Sequence, residues 1–268
     1  MKGLVVITGA SSGFGAAAAL GFARLGHPLF LGARRVEKLR EVAQACVKAG
    51  SPEAAERELD VRSKESIEAF CHAAGTPEIL LNNAGLALGR DPVSTLKDED
   101  LVGMVETNVI GVMHACRAVL PQMIQRRAGK IIILSGGGAA SPRPNFSAYA
   151  ASKAAVVRLA ETLAEEVRDC NVQINCMAPG GSYTHMTDEI IHAGDRAGRK
   201  EIEDAEHVRL TGGVIPDKQI QLAMFLASER SNHVSGKLIH VNDDWKRLER
   251  ENMNPELYTL RRVSKVAI

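Results

Sequence analysis

Short apolar runs, separated mostly by polar-apolar segments of helical period, recur along the chain. Leu4 to Ile7 is β-branched and unbroken by charge, the pattern of a strand buried on both faces. Similar runs cover Pro28 to Ala33, Glu58 to Val61, Ile79 to Asn82, Lys130 to Ser135, Gln173 to Ala178 and Lys237 to Val241. The intervals are mostly helical, the first being the alanine-rich segment Ala16 to Leu25. Strands alternating with helices predict an α/β fold, a doubly wound parallel sheet with helices on both faces. Residues 182–213 interrupt this alternation with a polar stretch before the last strand. Ligands of such sheets sit outside the carboxyl ends of the strands, where this stretch would hang, so it is expected to be a substrate lid. Its side chains include His185, Asp188, Glu189, His192, Asp195, Arg196, Arg199 and Lys200. They fit a hydrophilic substrate and an exposed helix hairpin equally well.

Composition narrows the class. A chain of 268 residues with 45% hydrophobic content suits one large domain. The expected division is 1–245 for that domain and 246–268 for a carboxyl-terminal tail. Basic and acidic side chains number 33 and 32, leaving no global field to gather nucleic acid. The basic tail cluster of Lys246, Arg247, Arg250, Arg261, Arg262 and Lys265 is interleaved with Glu249, Glu251 and Glu256. Cys46, Cys71, Cys116, Cys170 and Cys176 are odd in number and scattered, so neither a disulfide framework nor a zinc site is expected. No apolar run approaches the ~20 residues of a membrane span, and a cytoplasmic protein without membrane contact is expected.

The first strand runs into Thr8, Gly9, Ala10, Ser11, Ser12, Gly13, Phe14 and Gly15, and then into helix. Glycines admit a ligand close to the backbone, and a helix N-terminus offers free N–H groups to an anion, so this is a phosphate-binding turn. After the second strand stand Arg34 and Arg35, where an NAD site would place a carboxylate. Guanidinium forks suit the 2′-phosphate of NADP, with Arg34 the natural partner, so NADP is expected over NAD, although Glu37 lies nearby. Tyr149 and Lys153 are one helical turn apart, and an ammonium beside a phenol favours the phenolate.

With these motifs in order, the chain resembles the short-chain dehydrogenase/reductase family of compact single-domain enzymes. Thr8, Gly9, Gly13 and Gly15 match its glycine loop, and Asp60-Val61 its adenine-contacting pair. Asn82, Asn83, Ala84 and Gly85, then Asn108, Tyr149 with Lys153, Pro179, Gly180 and Thr184 match further motifs, covering about Leu4 to Val241. The resemblance implies a Rossmann-type fold and transfer of a hydride between NADP(H) and a secondary alcohol or ketone. Tyr149 would be general acid/base, Lys153 would lower its pKa and hold the ribose, and Asn108 would anchor a relay water. Asn108 lies in Glu106 to Gly111, a setting that suits an interrupted helix. Thr184 would meet the carboxamide. Homo-dimers or homo-tetramers would form through about Leu101 to Arg127 and Tyr149 to Arg168.

Two departures stand out. The family's substrate-binding serine lies thirteen residues before the tyrosine, and that position is Gly136, within Ser135, Gly136, Gly137, Gly138. Ser135, Ser141, Ser147 or backbone N–H groups are conceivable substitutes, with Ser135 and the backbone preferred. Loss of the hydroxyl also leaves open a nucleotide-binding protein without turnover, and a dehydratase or epimerase that uses bound cofactor transiently is a third reading. The second departure is Asn242, Asp243, Asp244 and Trp245 after the last strand, leading to a tail that would pack on a neighbouring subunit, close the site or simply join the core.

Overall fold

The computed structural model describes residues 2–249, 254 and 256–261. Arg250, Glu251, Arg262 and Lys265 of the expected basic tail lie outside them. The elements run β1 (Val5–Thr8), α1 (Gly13–Arg24), β2 (Leu29–Ala33), α2 (Val36–Ala49), β3 (Ala54–Glu58), α3 (Lys64–Ala74) and β4 (Ile79–Asn82). There follow α4 (Asp98–Val105), α5 (Gly111–Arg126), β5 (Gly129–Leu134), α6 (Ser147–Glu166), β6 (Val172–Ala178), α7 (His185–Ala193), α8 (Arg199–Thr211), α9 (Pro216–Ala227) and β7 (Leu238–His240). Among the described residues the seven strands form one parallel sheet in the order β3-β2-β1-β4-β5-β6-β7.

Alternate side chains leave a strand on opposite faces, and β1 feeds two cores accordingly. Val5 and Ile7 join a cluster with Phe22, Leu39, Leu222 and Phe225, whereas Val6 joins Phe70, Val119, Ile133 and Val156 on the other side. Both faces are therefore sealed by helices, as a parallel sheet requires. The strand order reverses between β1 and β4, and the chain leaves those two strands toward opposite faces of the sheet, the arrangement that opens a crevice above their carboxyl ends.

The third strand lies earlier than the sequence pattern predicts. It is Ala54–Glu58 rather than Glu58 to Val61, pairing Leu29 with Ala54 and Ala33 with Glu58. This is an edge strand with half-exposed side chains, so hydrophobicity does not mark it. Asp60 and Val61 lie just beyond it, in the loop over the sheet's carboxyl edge.

Trp245 is buried and stacked on Phe225, ring centroids 5.4 Å apart, and so belongs to the core. The chain then returns beside β7, where the Leu238 N–H donates to the Tyr258 carbonyl at 2.8 Å. Along α4 to α5, Leu101, Val102, Val105, Ile110, Met113 and Ile124 remain exposed. They lie on the α4–α5 segment expected to join subunits.

Candidate active site

The crevice at the β1–β4 switch is built by Thr8 and Asn83. Thr8 Oγ1 accepts from the Asn83 and Ala84 N–H groups, both at 3.1 Å, while Asn83 Nδ2 donates to the Thr8 and Gly9 carbonyls at 3.0 Å. These bonds lock the two strand ends together and leave the glycine loop pressed against its neighbour. A Cβ on Gly15 would stand 2.4 Å from Asn83 Nδ2 and 2.6 Å from the Gly9 carbonyl, so only glycine fits. Around Gly13, by contrast, no atom lies within 4 Å of a notional Cβ. The loop thus has a closed side and an open side at the amino end of α1, the shape and polarity that fit a dinucleotide pyrophosphate. Phe14 turns inward and packs on the core.

Arg35, rather than Arg34, reaches this loop. Its guanidinium donates to Ser11 Oγ at 3.1 and 3.3 Å and also to Ser12 Oγ. Arg34 lies instead within electrostatic reach of Asp60. Glu37 is engaged by Arg40 at 2.9 Å on the exposed face of α2. The Asp60 carboxyl is held below its ordinary range, first by the Arg62 side chain, which grips it at 2.7 Å. Val61 packs closely enough that a Cβ on Gly111 would meet its carbonyl at 2.7 Å.

The candidate catalytic corner lies at the end of β5. Tyr149 and Lys153 share a face of α6, being 8% and 6% exposed, and the Lys153 ammonium sits 5.6 Å from the phenol ring centroid. Lys153 Nζ donates to the Leu134 carbonyl at 2.9 Å. Burial lowers its pKa from 10.5 to about 8. The same burial raises the Tyr149 pKa, and the opposing pull comes from Arg143. In place of the lysine-driven depression expected from spacing alone, desolvation dominates, because it penalises the charged form of either group.

Asn108 lies in a π-helical segment, Glu106–Ile110, between α4 and α5, the interruption anticipated there. Its Oδ1 accepts from the Leu86 N–H at 2.7 Å, and its Nδ2 donates to the Leu86 carbonyl at 2.8 Å and to Ser152 Oγ at 3.0 Å. Such a residue clamps the loop after β4. A Cβ on Gly85 would stand 3.4 Å from both Asn108 Oδ1 and Lys153 Nζ, which places the amide and the ammonium around one glycine. Ser135 is buried, and its hydroxyl turns toward the backbone of α6, 3.4 Å from the Lys153 carbonyl. Ser141 and Ser147 are exposed. Gly136 is where the phenol has come: its notional Cβ would lie 2.6 Å from Tyr149 Oη. Gly138 adopts φ 91°, and a Cβ on it would stand 2.7 Å from the Ala150 methyl, so the loop packs closely on α6. Pro179 is held through its carbonyl by Gln219 at 2.8 Å, and Gly180 adopts φ 74°. Thr184 caps α7 in a reciprocal pair with Thr187.

Helices α7 and α8 cover this corner, and the antiparallel bridge between Ser182 and Gly213 closes their base. Ion pairs tie them to the surrounding loops: Arg90 to Glu189 at 2.6 Å, Asp91 to Arg196 at 3.6 Å, and Arg143 to Glu201 at 2.6 Å. Beneath them Tyr149 and Phe146 pack with Met104, Ile190, Ala197 and Ala205 as a third apolar cluster. Many of the polar residues of 182–213 thus face loops or solvent, and an apolar underside meets the phenol. The sequence pattern missed Arg90 and Arg143, because isolated arginines in loops carry no periodicity. Arg90 Nε is buried without a hydrogen-bond partner.

A nucleotide crevice at the switch point, followed by a buried tyrosine and lysine at the end of the fifth strand, defines a nicotinamide-dependent oxidoreductase class. The chain belongs to the short-chain dehydrogenase/reductase family, its residues 3–194 matching the short chain dehydrogenase model. Members are oxidoreductases of the alcohol/carbonyl couple that bind a nicotinamide cofactor and act on small molecules. The 3-oxoacyl-(acyl-carrier-protein) reductase FabG of Thermotoga maritima is 30% identical, covering 88% of this chain and 95% of the relative. Sulfoacetaldehyde reductase 2 of Chromohalobacter salexigens is 36% identical over 70% of this chain and 75% of its own. An actinorhodin polyketide ketoreductase variant solved with NADPH superposes with a TM-score of 0.82 at 29% identity, covering 90% of this chain and 95% of that one. Among the described residues no helix is long and apolar enough to cross a membrane.

Proposed function

We propose that the chain is an NADPH-dependent reductase of a ketone or aldehyde, with Tyr149 as the general acid. The observation that carries this reading is the buried Tyr149–Lys153 pair, with the phenol facing bare backbone at Gly136. When bound, the nicotinamide exchanges hydride with the carbonyl carbon. Thr8, Gly9, Gly13, Gly15, Asn83, Ala84 and Gly85 would line the dinucleotide, Arg35 with Ser11 and Ser12 would hold the 2′-phosphate, and Asp60 and Val61 would border the adenine. Pro179, Gly180 and Thr184 would face the carboxamide end. Tyr149 delivers the proton to the carbonyl oxygen, and Lys153 holds the ribose and stabilises the phenolate left behind. Residues 182–213 serve as lid. Asn108 keeps the loop after β4 in register with Lys153.

The test is loss of reduced-nicotinamide absorbance with a panel containing a β-keto ester, cyclic ketones, oxidised sugars and sulfoacetaldehyde, using NADPH and NADH in parallel. NADPH is expected to be preferred. Arg35→Gln should weaken NADPH about 10- to 100-fold while barely altering NADH, the range set by charge-assisted bonds to a phosphate. Equal weakening of both cofactors would show that Arg35 merely braces the glycine loop.

The pH profile follows from Lys153. Its ammonium is charged below about pH 8 and loses its proton above that, and a neutral amine offers no charge to a forming phenolate. For carbonyl reduction, kcat/KM is therefore expected to be level below about pH 8 and to fall tenfold per pH unit above it. In Lys153→Arg that limb should disappear from the accessible range, because a guanidinium stays charged. An unchanged limb in that variant would assign it to another group.

A further inference from the structure

Against the lid, at the proton-transfer corner, lies one side chain that no motif in the sequence singles out. Arg143 lies in the loop between β5 and α6, its side chain 18% exposed and that of its partner Glu201 17%. The Glu201 carboxylate takes two of the three guanidinium nitrogens, accepting from Nε at 2.8 Å and Nη2 at 2.6 Å. The guanidinium carbon lies 4.1 Å from the Phe146 ring centroid and 5.6 Å from that of Tyr149. Nη1 is the nitrogen left over, with no protein hydrogen bond among the described residues. It stands 3.4 Å from the point where a Cβ on Gly137 would be. Two consecutive glycines thus present bare backbone, Gly136 toward the Tyr149 hydroxyl and Gly137 toward Arg143 Nη1.

We propose that Arg143 Nη1 donates a hydrogen bond to the substrate carbonyl oxygen, doing the work of the hydroxyl that position 136 lacks. This rests on the reductase reading above. The guanidinium stays protonated throughout, so Arg143 polarises the oxygen and Tyr149 supplies the proton. Glu201 balances the charge and fixes the plane of the fork, which makes a half-buried arginine tolerable and aims its free donor. A pre-aimed donor at an oxygen that gathers negative charge lowers the barrier most where water is excluded, as beneath this lid. Arg143 also draws the Tyr149 pKa downward against burial. Because Glu201 belongs to α8, docking of the lid and the Phe146 ring together hold the donor in place.

The experiment compares the native chain with Arg143→Gln, Arg143→Lys and Glu201→Gln, reading kcat and KM on the fastest carbonyl of the panel. NADPH affinity, followed by its fluorescence, reports folding. Arg143→Gln should lower kcat about 100-fold and Arg143→Lys about 10-fold, since lysine keeps the charge but not the fork. KM and NADPH affinity should change little, and Glu201→Gln should fall between native and Arg143→Gln. If Arg143→Gln no longer binds NADPH, Arg143→Lys becomes the variant that decides. A kcat within about threefold of native in the deciding variant overturns the proposal. A native chain that binds NADPH but reduces nothing sinks the reductase reading instead. Phenolate absorbance of Tyr149, in a Tyr183→Phe, Tyr258→Phe background, then judges Arg143 separately. An ionisation raised by about one pH unit in Arg143→Gln keeps Arg143 coupled to the phenol, and an unmoved one removes it.

Discussion

Replacing Tyr149 by phenylalanine is expected to reduce carbonyl turnover about 10³-fold with NADPH affinity nearly intact. The substitution removes one oxygen and leaves the ring, which packs with Phe146, Met104 and Ile190. Tyr149 Oη is not a buried unpartnered atom, and no described residue depends on it for a hydrogen bond, so its removal orphans nothing in the fold. The loss should therefore appear in kcat and not in thermal stability. General acid catalysis by one placed group contributes typically about 10²- to 10⁴-fold, and the estimate lies in the middle of that range. Pre-steady-state reduction in a single turnover, alongside a thermal melt, separates the two effects. Turnover above about a tenth of native would transfer the proton to another donor and end the role given to the phenol.

How much of this was legible beforehand depends on whether a residue's signal is local. Buried parallel strands announce themselves, because both faces demand apolar side chains, and β1, β4, β5 and β6 fall within a residue or two of the pattern. The edge strand Ala54–Glu58 does not, since half its surface meets water and its charges are compatible with a loop. The order of strand, glycine turn and helix was readable, because the three follow each other in sequence. Which arginine reaches it was not, for Arg34 and Arg35 differ only in the direction each leaves the chain. Tyr149 and Lys153 were readable as a pair, yet their pKa directions were not, because burial is a property of the assembled fold. Arg143 and Glu201 are 58 residues apart. Only the lid's docking joins them, and no spacing rule reaches that far.

Restoring the hydroxyl at position 136 is expected to harm the enzyme rather than help it. Gly136→Ser should lower kcat by at least about 10²-fold, because the added Cβ would stand 2.6 Å from Tyr149 Oη, closer than carbon and oxygen approach without bonding. The aromatic ring cannot fold away, being fixed at its base in α6 and flanked by Phe146 and the Arg143 guanidinium, so the phenol or the glycine loop must shift. A displacement of about 1 Å at a proton-transfer atom is enough for a loss of that order. Gly136→Ala separates the two contributions of serine, since it carries the Cβ without the hydroxyl. Equal losses in both variants make the defect steric and identify the glycine as the residue that fits this placement of the phenol. The opposite pattern, a silent native chain with turnover appearing only in Gly136→Ser, would mean that the phenol yields and that the hydroxyl was the missing part. The chain as it stands would then be a nucleotide-binding protein, and Tyr149, Lys153 and Asn108 would be the retained remains of an active site.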